Sequence, residues 1–190
     1  MAKAKTLTEK ELRRVLDYVA TRRHSARNRA LLLTMFLGGL RVGEAAYLRY
    51  EDVVDADGKI RKEIRLDAAQ TKGKHGRVVF VCDKLAKELE RYVAQVPAKD
   101  PKHKLFYSQK RKADGFTPNT LAQFYHYLFH NAGIEGASSH SPRRTFITNL
   151  AAKGVGVRVL MSLAGHRNIS TTQAYIDIND DMLRSAVALI

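Results

Sequence analysis

Residues 26–37 constrain the fold of this chain more than any other stretch. The run Leu31-Leu32-Leu33-Thr34-Met35-Phe36-Leu37 is apolar on nearly every side of a helical wheel, and Gly38-Gly39 stops it. A helix of that kind cannot rest on a surface; other elements must wrap it. Ser25 is placed to cap its start. Amphipathic segments able to supply the wrapping are present. Thr8 and Glu11 have the spacing of a capping box ahead of a helix reaching about Ala20, with Leu12, Val15, Leu16 and Val19 on one face. A short helix is expected over 42–48, and helical periodicity returns over 83–96. Thr117-Pro118 and Ser141-Pro142 each place proline at the permissive first helical position. The first of these helices runs to about Asn131 and ends at Gly133, and the second ends near Lys153-Gly154. Helices over 157–163, 171–175 and 180–189 follow, the last with Asn179 as a cap.

The segment 53–81 breaks this pattern. Asp57-Gly58 signals a turn, residues 60–66 alternate loosely, and 77–81 reads as a strand. Between them Gln70-Thr71-Lys72-Gly73-Lys74-His75-Gly76 suits a hairpin with Lys72 at its turn. The expected fold is mainly α with one small antiparallel β-sheet, an α+β domain spanning 1–190. Cys82, the only cysteine, continues the apolar run Val78-Val79-Phe80-Val81 and is expected to be buried and inert. One cysteine excludes an intrachain disulfide and a Cys-rich zinc site.

Charge narrows the function. Lys and Arg number 33 against 19 Asp and Glu, a formal net charge of +14. Such a surplus on a domain of this size points to a polyanionic partner, nucleic acid first. An acidic membrane is a weaker match, because no basic amphipathic helix stands out and no apolar run reaches about 18 residues. The start, Met1-Ala2-Lys3-Ala4-Lys5, has charge but no apolar stretch after it, so no secretory signal is expected and a reducing cytoplasmic setting fits.

Several polar residues are candidates for chemistry on that partner. Arginine offers a planar fork of donors that matches phosphate oxygens bidentately, and two arginines from different segments can clamp one phosphate. Arg41, in Gly39-Leu40-Arg41-Val42-Gly43-Glu44, follows a helix stop, and Glu44 can hold its guanidinium. His140 and Arg143, in His140-Ser141-Pro142-Arg143, flank a helix start, where free N–H groups also favour a phosphate. Lys72 on its hairpin can protonate a leaving oxygen, and Lys74 is close enough to substitute. His166 follows Gly165, and Tyr175 lies nine positions further on. A phenol, with a pKa of about 10, needs cationic neighbours to act as a nucleophile. Taken singly, each residue has an ordinary alternative: a surface arginine, a solvated basic turn, a junction histidine. The cluster Phe124-Tyr125-His126-Tyr127-Leu128-Phe129 suits helix packing with some DNA contact, not chemistry.

Together, in this order, these residues resemble the tyrosine recombinases, the phage integrase family. The resemblance runs from about Leu7 to the end and is most specific over Gly165-His166-Arg167-Asn168-Ile169-Ser170-Thr171-Thr172-Gln173-Ala174-Tyr175. Pro142 and Arg144 depart from the pattern, which usually has leucine before its second arginine and often histidine after it. The resemblance implies catalytic roles for Arg41, Lys72, His140, Arg143, His166 and Tyr175, with Glu44 in support. It implies a 3′-phosphotyrosyl intermediate with no metal, cofactor or ATP. Lys74, His75, Arg77, Arg144 and Arg167 are the expected DNA contacts. The expected partner is double-stranded DNA, bound by a homotetramer whose free subunit can be a monomer, in the cytoplasm with the nucleoid. The match covers only the family's catalytic domain, so the N-terminal clamp domain is expected to be absent and DNA binding to depend strongly on salt. Two alternatives share these residues: a non-catalytic DNA-binding or regulatory protein on the same fold, and a nicking-closing enzyme like the type IB topoisomerases.

Overall fold

The computed structural model describes residues 4–71, 75–95, 100–108 and 115–176, together with 183, 184, 187 and 188. At its centre is the all-apolar helix, preceded by α1 (Glu9–Ala20) and itself α2 (Ser25–Gly38). Leu31, Leu32 and Leu33, which point to successive sides of it, are all at most 2% exposed. Truncating such a side chain to alanine typically costs about 2–5 kcal/mol. Ser25 turns out to be the first helical residue, not the cap. The cap position belongs to His24, which adopts a left-handed conformation (φ 60°) with no side-chain capping bond. Only four residues join α1 to α2, and the reversal at His24 completes that short connection.

The shell is built as the apolar faces require. The Thr8–Glu11 capping box closes α1, with Glu11 N–H on Thr8 Oγ1 at 3.2 Å and Thr8 N–H on Glu11 Oε2 at 2.9 Å. Val15 and Val19 are buried in the common core with α2. Two short helices, α3 (Val42–Tyr47) and α4 (Tyr50–Val53), lead into β1 (Glu63–Leu66) and β2 (Arg77–Phe80). Helix α5 (Asp83–Val93) packs on α2 through Leu85 and Leu89 and ends three residues before the expected limit. Helix α6 (Pro118–Asn131) packs on α3, and Tyr125 and Phe129 of its aromatic run are fully buried. Helix α7 (Ser141–Ala152) packs on α2 and on α8 (Val157–Ala164), which carries α9 (Ile169–Gln173).

The two strands are antiparallel, with Ile64 opposite Val79 and Leu66 opposite Arg77. Directly opposed residues share a face of a sheet. Ile64, Leu66 and Val79 are buried, so Arg77 also faces inward. Cys82, by contrast, is exposed. The strand has ended at Phe80, and Cys82 occupies the cap position of α5, where alternation along the strand no longer sets its direction. The hairpin tip at 72–74 and most of 180–189 lie outside the described residues. No helix among the described residues is long and apolar enough to cross a membrane.

Candidate active site

The site forms where three chain reversals meet: the end of α2, the start of α7 and the end of α8. Gly39 closes α2 in the left-handed conformation (φ 62°), and a Cβ there would lie 2.4 Å from the Phe146 ring. That turn aims the Gly39 carbonyl at two guanidiniums: Arg143 Nη1 donates to it at 2.6 Å and Arg77 Nη2 at 3.3 Å. Gly165 closes α8 in the same conformation (φ 59°), and the His166 N–H wraps back to the Met161 carbonyl at 3.0 Å.

A helix ends with carbonyls that lack intrahelical partners and with a negative dipole pole. Here each of three consecutive carbonyls takes one arginine. Arg77 Nη1 donates to Leu163 O at 2.8 Å, Arg143 Nη2 to Ala164 O, and Arg41 Nη2 to Gly165 O at 3.1 Å. The three arginines come from a strand, a helix start and an interhelical junction, far apart in sequence.

Glu44 balances part of this charge. Its side chain is 1% exposed, and its carboxylate accepts from Arg41 Nη1 (2.8 Å) and Arg41 N–H (2.7 Å). It also accepts from Arg77 Nε (3.1 Å) and Nη2 (2.7 Å). Burial alone would raise the pKa of Glu44, but the hydrogen bond and charge of Arg77, with help from the Arg41 N–H and Arg143, hold it below its ordinary value. Arg143 is 4% exposed. Burial, then the charges of Arg41 and Arg77, push its pKa down to about 9, and it remains charged at neutral pH. Three guanidiniums facing one carboxylate leave a surplus of positive charge. A phosphate in the site would find that surplus already held in place, without having to gather it.

His166 and Tyr175 complete the site. Burial, followed by the charges of Arg143, Arg41 and Arg77, lowers the His166 pKa to about 4, so the imidazole is neutral at pH 7. Its Nδ1 lies 2.9 Å from Thr172 Oγ1. The ring of Tyr175 stacks on it, with centroids 5.7 Å apart and planes 25° apart. The guanidinium of Arg144 lies 5.2 Å over the other partner of that stack, the Tyr175 ring, while its Nε donates to Thr6 Oγ1 at 3.2 Å. Tyr175 sits just beyond α9, and Asn168 caps that helix by accepting the Ser170 N–H.

Arg41, His140, Arg143, Arg144, His166 and Tyr175 all line one open cleft of about 630 Å³. A neighbouring hollow of about 470 Å³ shares Arg41 and His166 with it and adds His75 and Arg167 at its rim. Exposed His140 is the cap residue of α7, with no side-chain capping bond. Lys72 and Lys74 lie outside the described residues. One expected DNA contact is corrected: Arg77 is 8% exposed on its side chain and spends its donors on Glu44, Leu163 and Gly39. Thr172 and Gly39 were invisible as site residues in the sequence, because one acts as a hydroxyl partner and the other through its backbone. Arg77 did carry a signal: two residues before inward-facing Val79, it belongs to the same strand face.

The model of the phage integrase family matches residues 5–182. The chain belongs to this family. As an integrase-family domain it is 30% identical over 184 residues to tyrosine recombinase XerA of Pyrococcus horikoshii, covering 96% of this chain and 60% of that protein. It is 25% identical over 188 residues to transposase A from transposon Tn554 of Staphylococcus aureus, covering 95% of this chain and 51% of the relative. The crystal structure of XerA recombinase matches over 100% of this chain and 66% of that chain, with a TM-score of 0.76 and 26% identity. The Tn1549 transposon integrase, solved in complex with a circular intermediate DNA, has the same fold: TM-score 0.76, 17% identity, 100% of this chain and 67% of that one. The integrase-family domain thus spans about three fifths of the length of the XerA protein it matches.

Proposed function

We propose that this domain cleaves and rejoins DNA strands, with Tyr175 as the nucleophile, as part of a site-specific recombinase. The observation that carries this reading is the convergence of Arg41, Arg143, His166 and Tyr175 on one cleft, with surplus positive charge behind it. In this reaction the Tyr175 hydroxyl gives up its proton to solvent, its oxygen attacks a DNA phosphorus, a phosphotyrosyl bond forms, and the bond to the 5′ oxygen breaks. Arg41 and Arg143 hold the non-bridging oxygens, where negative charge builds up in the transition state. Donors fixed at such positions are typically each worth a factor of about 100–1,000 in rate.

A neutral His166 can donate to the same phosphate. If the Thr172 hydroxyl donates to Nδ1, the ring proton is on Nε2 and is available to an anionic oxygen. Lys72, or Lys74 beside it, is the proposed acid for the leaving 5′ oxygen. Attack by the 5′ hydroxyl of a second strand reverses these steps and restores the backbone without an outside energy source. His75 and Arg167, at the rim of the second hollow, are proposed backbone contacts. Double-stranded DNA is the proposed substrate, with four copies on two duplexes as the working assembly.

The test is a DNA duplex nicked near the scissile phosphate, so that the cut fragment diffuses away and traps the protein covalently. Sites would be drawn from a random-sequence pool by covalent capture. A denaturing gel should show a protein–DNA adduct with the parent protein and none with Tyr175→Phe. Persistence of the adduct in Tyr175→Phe would refute Tyr175 as the nucleophile, and DNA binding with no adduct from any pool would refute the cleavage reading.

A further inference from the structure

We propose that Arg77 is a positioning residue for strand cleavage: it neutralises and anchors Glu44, so that Arg41 keeps its charge and orientation for the scissile phosphate. This inference rests on the cleavage reading above and assigns a part to a residue whose side chain is only 8% exposed and whose Nε, Nη1 and Nη2 already donate to the protein.

The network has the geometry of a relay. Each oxygen of the Glu44 carboxylate accepts one bond from Arg41 and one from Arg77. A carboxylate has about four acceptor positions, so these four bonds saturate it. Arg77 engages it through Nε and Nη2, the bidentate mode in which arginine binds a carboxylate most strongly. Arg41 contributes one side-chain N–H to Glu44 and one to the Gly165 carbonyl. Among the described residues its other side-chain N–H groups have no protein acceptor, and with 29% of its side chain exposed it borders the cleft.

Removing Arg77 changes both charge and shape. Glu44 would keep its negative charge in the interior with Arg41 as its remaining hydrogen-bonded guanidinium. An unshared carboxylate would pull that guanidinium inward and cancel the charge a phosphate needs. The other consequence is mechanical. The methylenes of Arg77 pack under the turn that presents His166: a Cβ on Gly165 would lie 2.5 Å from Arg77 Cδ. Arg77 thus braces both Arg41 and the residue before His166 while touching neither phosphate nor nucleophile.

The charge argument makes a prediction that a simple packing role does not. If the harm from losing Arg77 comes from the freed carboxylate, neutralising that carboxylate should undo much of it. Single-turnover adduct formation on the trapping duplex would be measured for the parent, Arg77→Met, Arg77→Lys and the double variant Arg77→Met/Glu44→Gln, with DNA affinity and thermal unfolding measured beside it. Met keeps the length of the stem and removes the charge; Gln keeps the shape of Glu44 and removes its charge. The expected result is a loss of about 100-fold in adduct rate for Arg77→Met, the scale of one displaced donor. DNA affinity should change less than about threefold, because Arg77 contributes no direct phosphate contact. The double variant should recover at least about tenfold of the lost rate.

Parent-level cleavage by Arg77→Met would overturn the proposal. So would a loss in which rate and affinity fall together and the double variant is no better than Arg77→Met; that pattern belongs to a merely structural residue. Should Arg77→Met fail to fold, Arg77→Lys decides. It keeps the charge but cannot form the paired bonds, so a folded, parent-rate Arg77→Lys would refute the need for bidentate anchoring, and slowing of about tenfold at unchanged affinity would support it. Absence of an adduct with the parent protein would count against the cleavage reading instead, which keeps the two failures distinguishable.

Discussion

Two parts of the cleft are held in different ways. Arg41, Arg77, Arg143 and Glu44 are fixed by short hydrogen bonds to one another and to the carbonyls of Gly39, Leu163, Ala164 and Gly165. The Tyr175 backbone is held by its N–H on the Thr172 carbonyl at 3.0 Å and by a long bond of 3.4 Å from Thr148 Oγ1 to its carbonyl, whereas its side chain is held by ring contacts with His166 and Arg144. The charged wall is part of the interior, whereas Tyr175, the proposed nucleophile, is laid against it just beyond a short helix. A preorganised wall stabilises developing charge without moving, and a lightly held nucleophile can adjust to an incoming phosphate.

The largest effect should come from breaking the wall. Glu44→Ala leaves Arg77 buried beside cations with no carboxylate, and loss of one partner of such a pair typically costs about 3–5 kcal/mol. Urea unfolding should show that loss, and a cost below about 1 kcal/mol would mean the wall is not built as described. Tyr175→Phe should do the reverse: no covalent adduct, with stability within about 0.5 kcal/mol of the parent. Arg144→Ala lies between these poles. It removes the cation from the Tyr175 ring, a contact worth about 0.5–2 kcal/mol, so adduct formation should slow by about twofold to thirtyfold while the melting temperature barely moves. A melting temperature that drops as far as in Glu44→Ala would place Arg144 in the wall.

The smallest effect concerns pH. His166 has a folded pKa of about 4 against an ordinary 6.5, so between those values the unfolded chain binds more protons than the folded one. Its contribution to stability is therefore full above pH 6.5 and declines as the pH falls towards 4. A phosphate in the cleft raises this pKa, so DNA binding in that window should take up a proton and tighten as the pH falls. Affinities measured from pH 6.5 down to 4.5 should show the slope, and His166→Gln should flatten it.

Much of this arrangement is legible in the sequence, and the limits have physical causes. The capping box at Thr8, the proline starts at Pro118 and Pro142, and the all-apolar run of α2 are local signals, set within a few residues of where they act. The convergence of Arg41, Arg143, His166 and Tyr175 is visible only through the family's motif order, because tertiary contacts alone bring those segments together. Arg77 is misread as a DNA contact because a basic residue near a hairpin looks solvated. Its pairing with Leu66 across the sheet turns it inward, and the strand period, weighed above its charge, would have said so. Cys82 fails in the opposite direction, since the apolar run outlasts the strand by two residues. The Ser25 cap fails because a four-residue connection dictates the turn at His24, and capping preference is too weak to override it.

The arginines that cap α8 also bear on how such a domain decays over generations. A lineage released from the demand for catalysis accumulates substitutions wherever folding tolerates them. Tyr175 stands outside the wall and can be exchanged at little cost, whereas Arg143 and Arg77 close off helix carbonyls that have no other donor among the described residues. On the proposed cleavage reading, silenced descendants should therefore lose the tyrosine first and keep the arginines long after cleavage has stopped. A chain with the full set of basic residues can be a fossil of the reaction, and its tyrosine is the better witness to whether the reaction still runs.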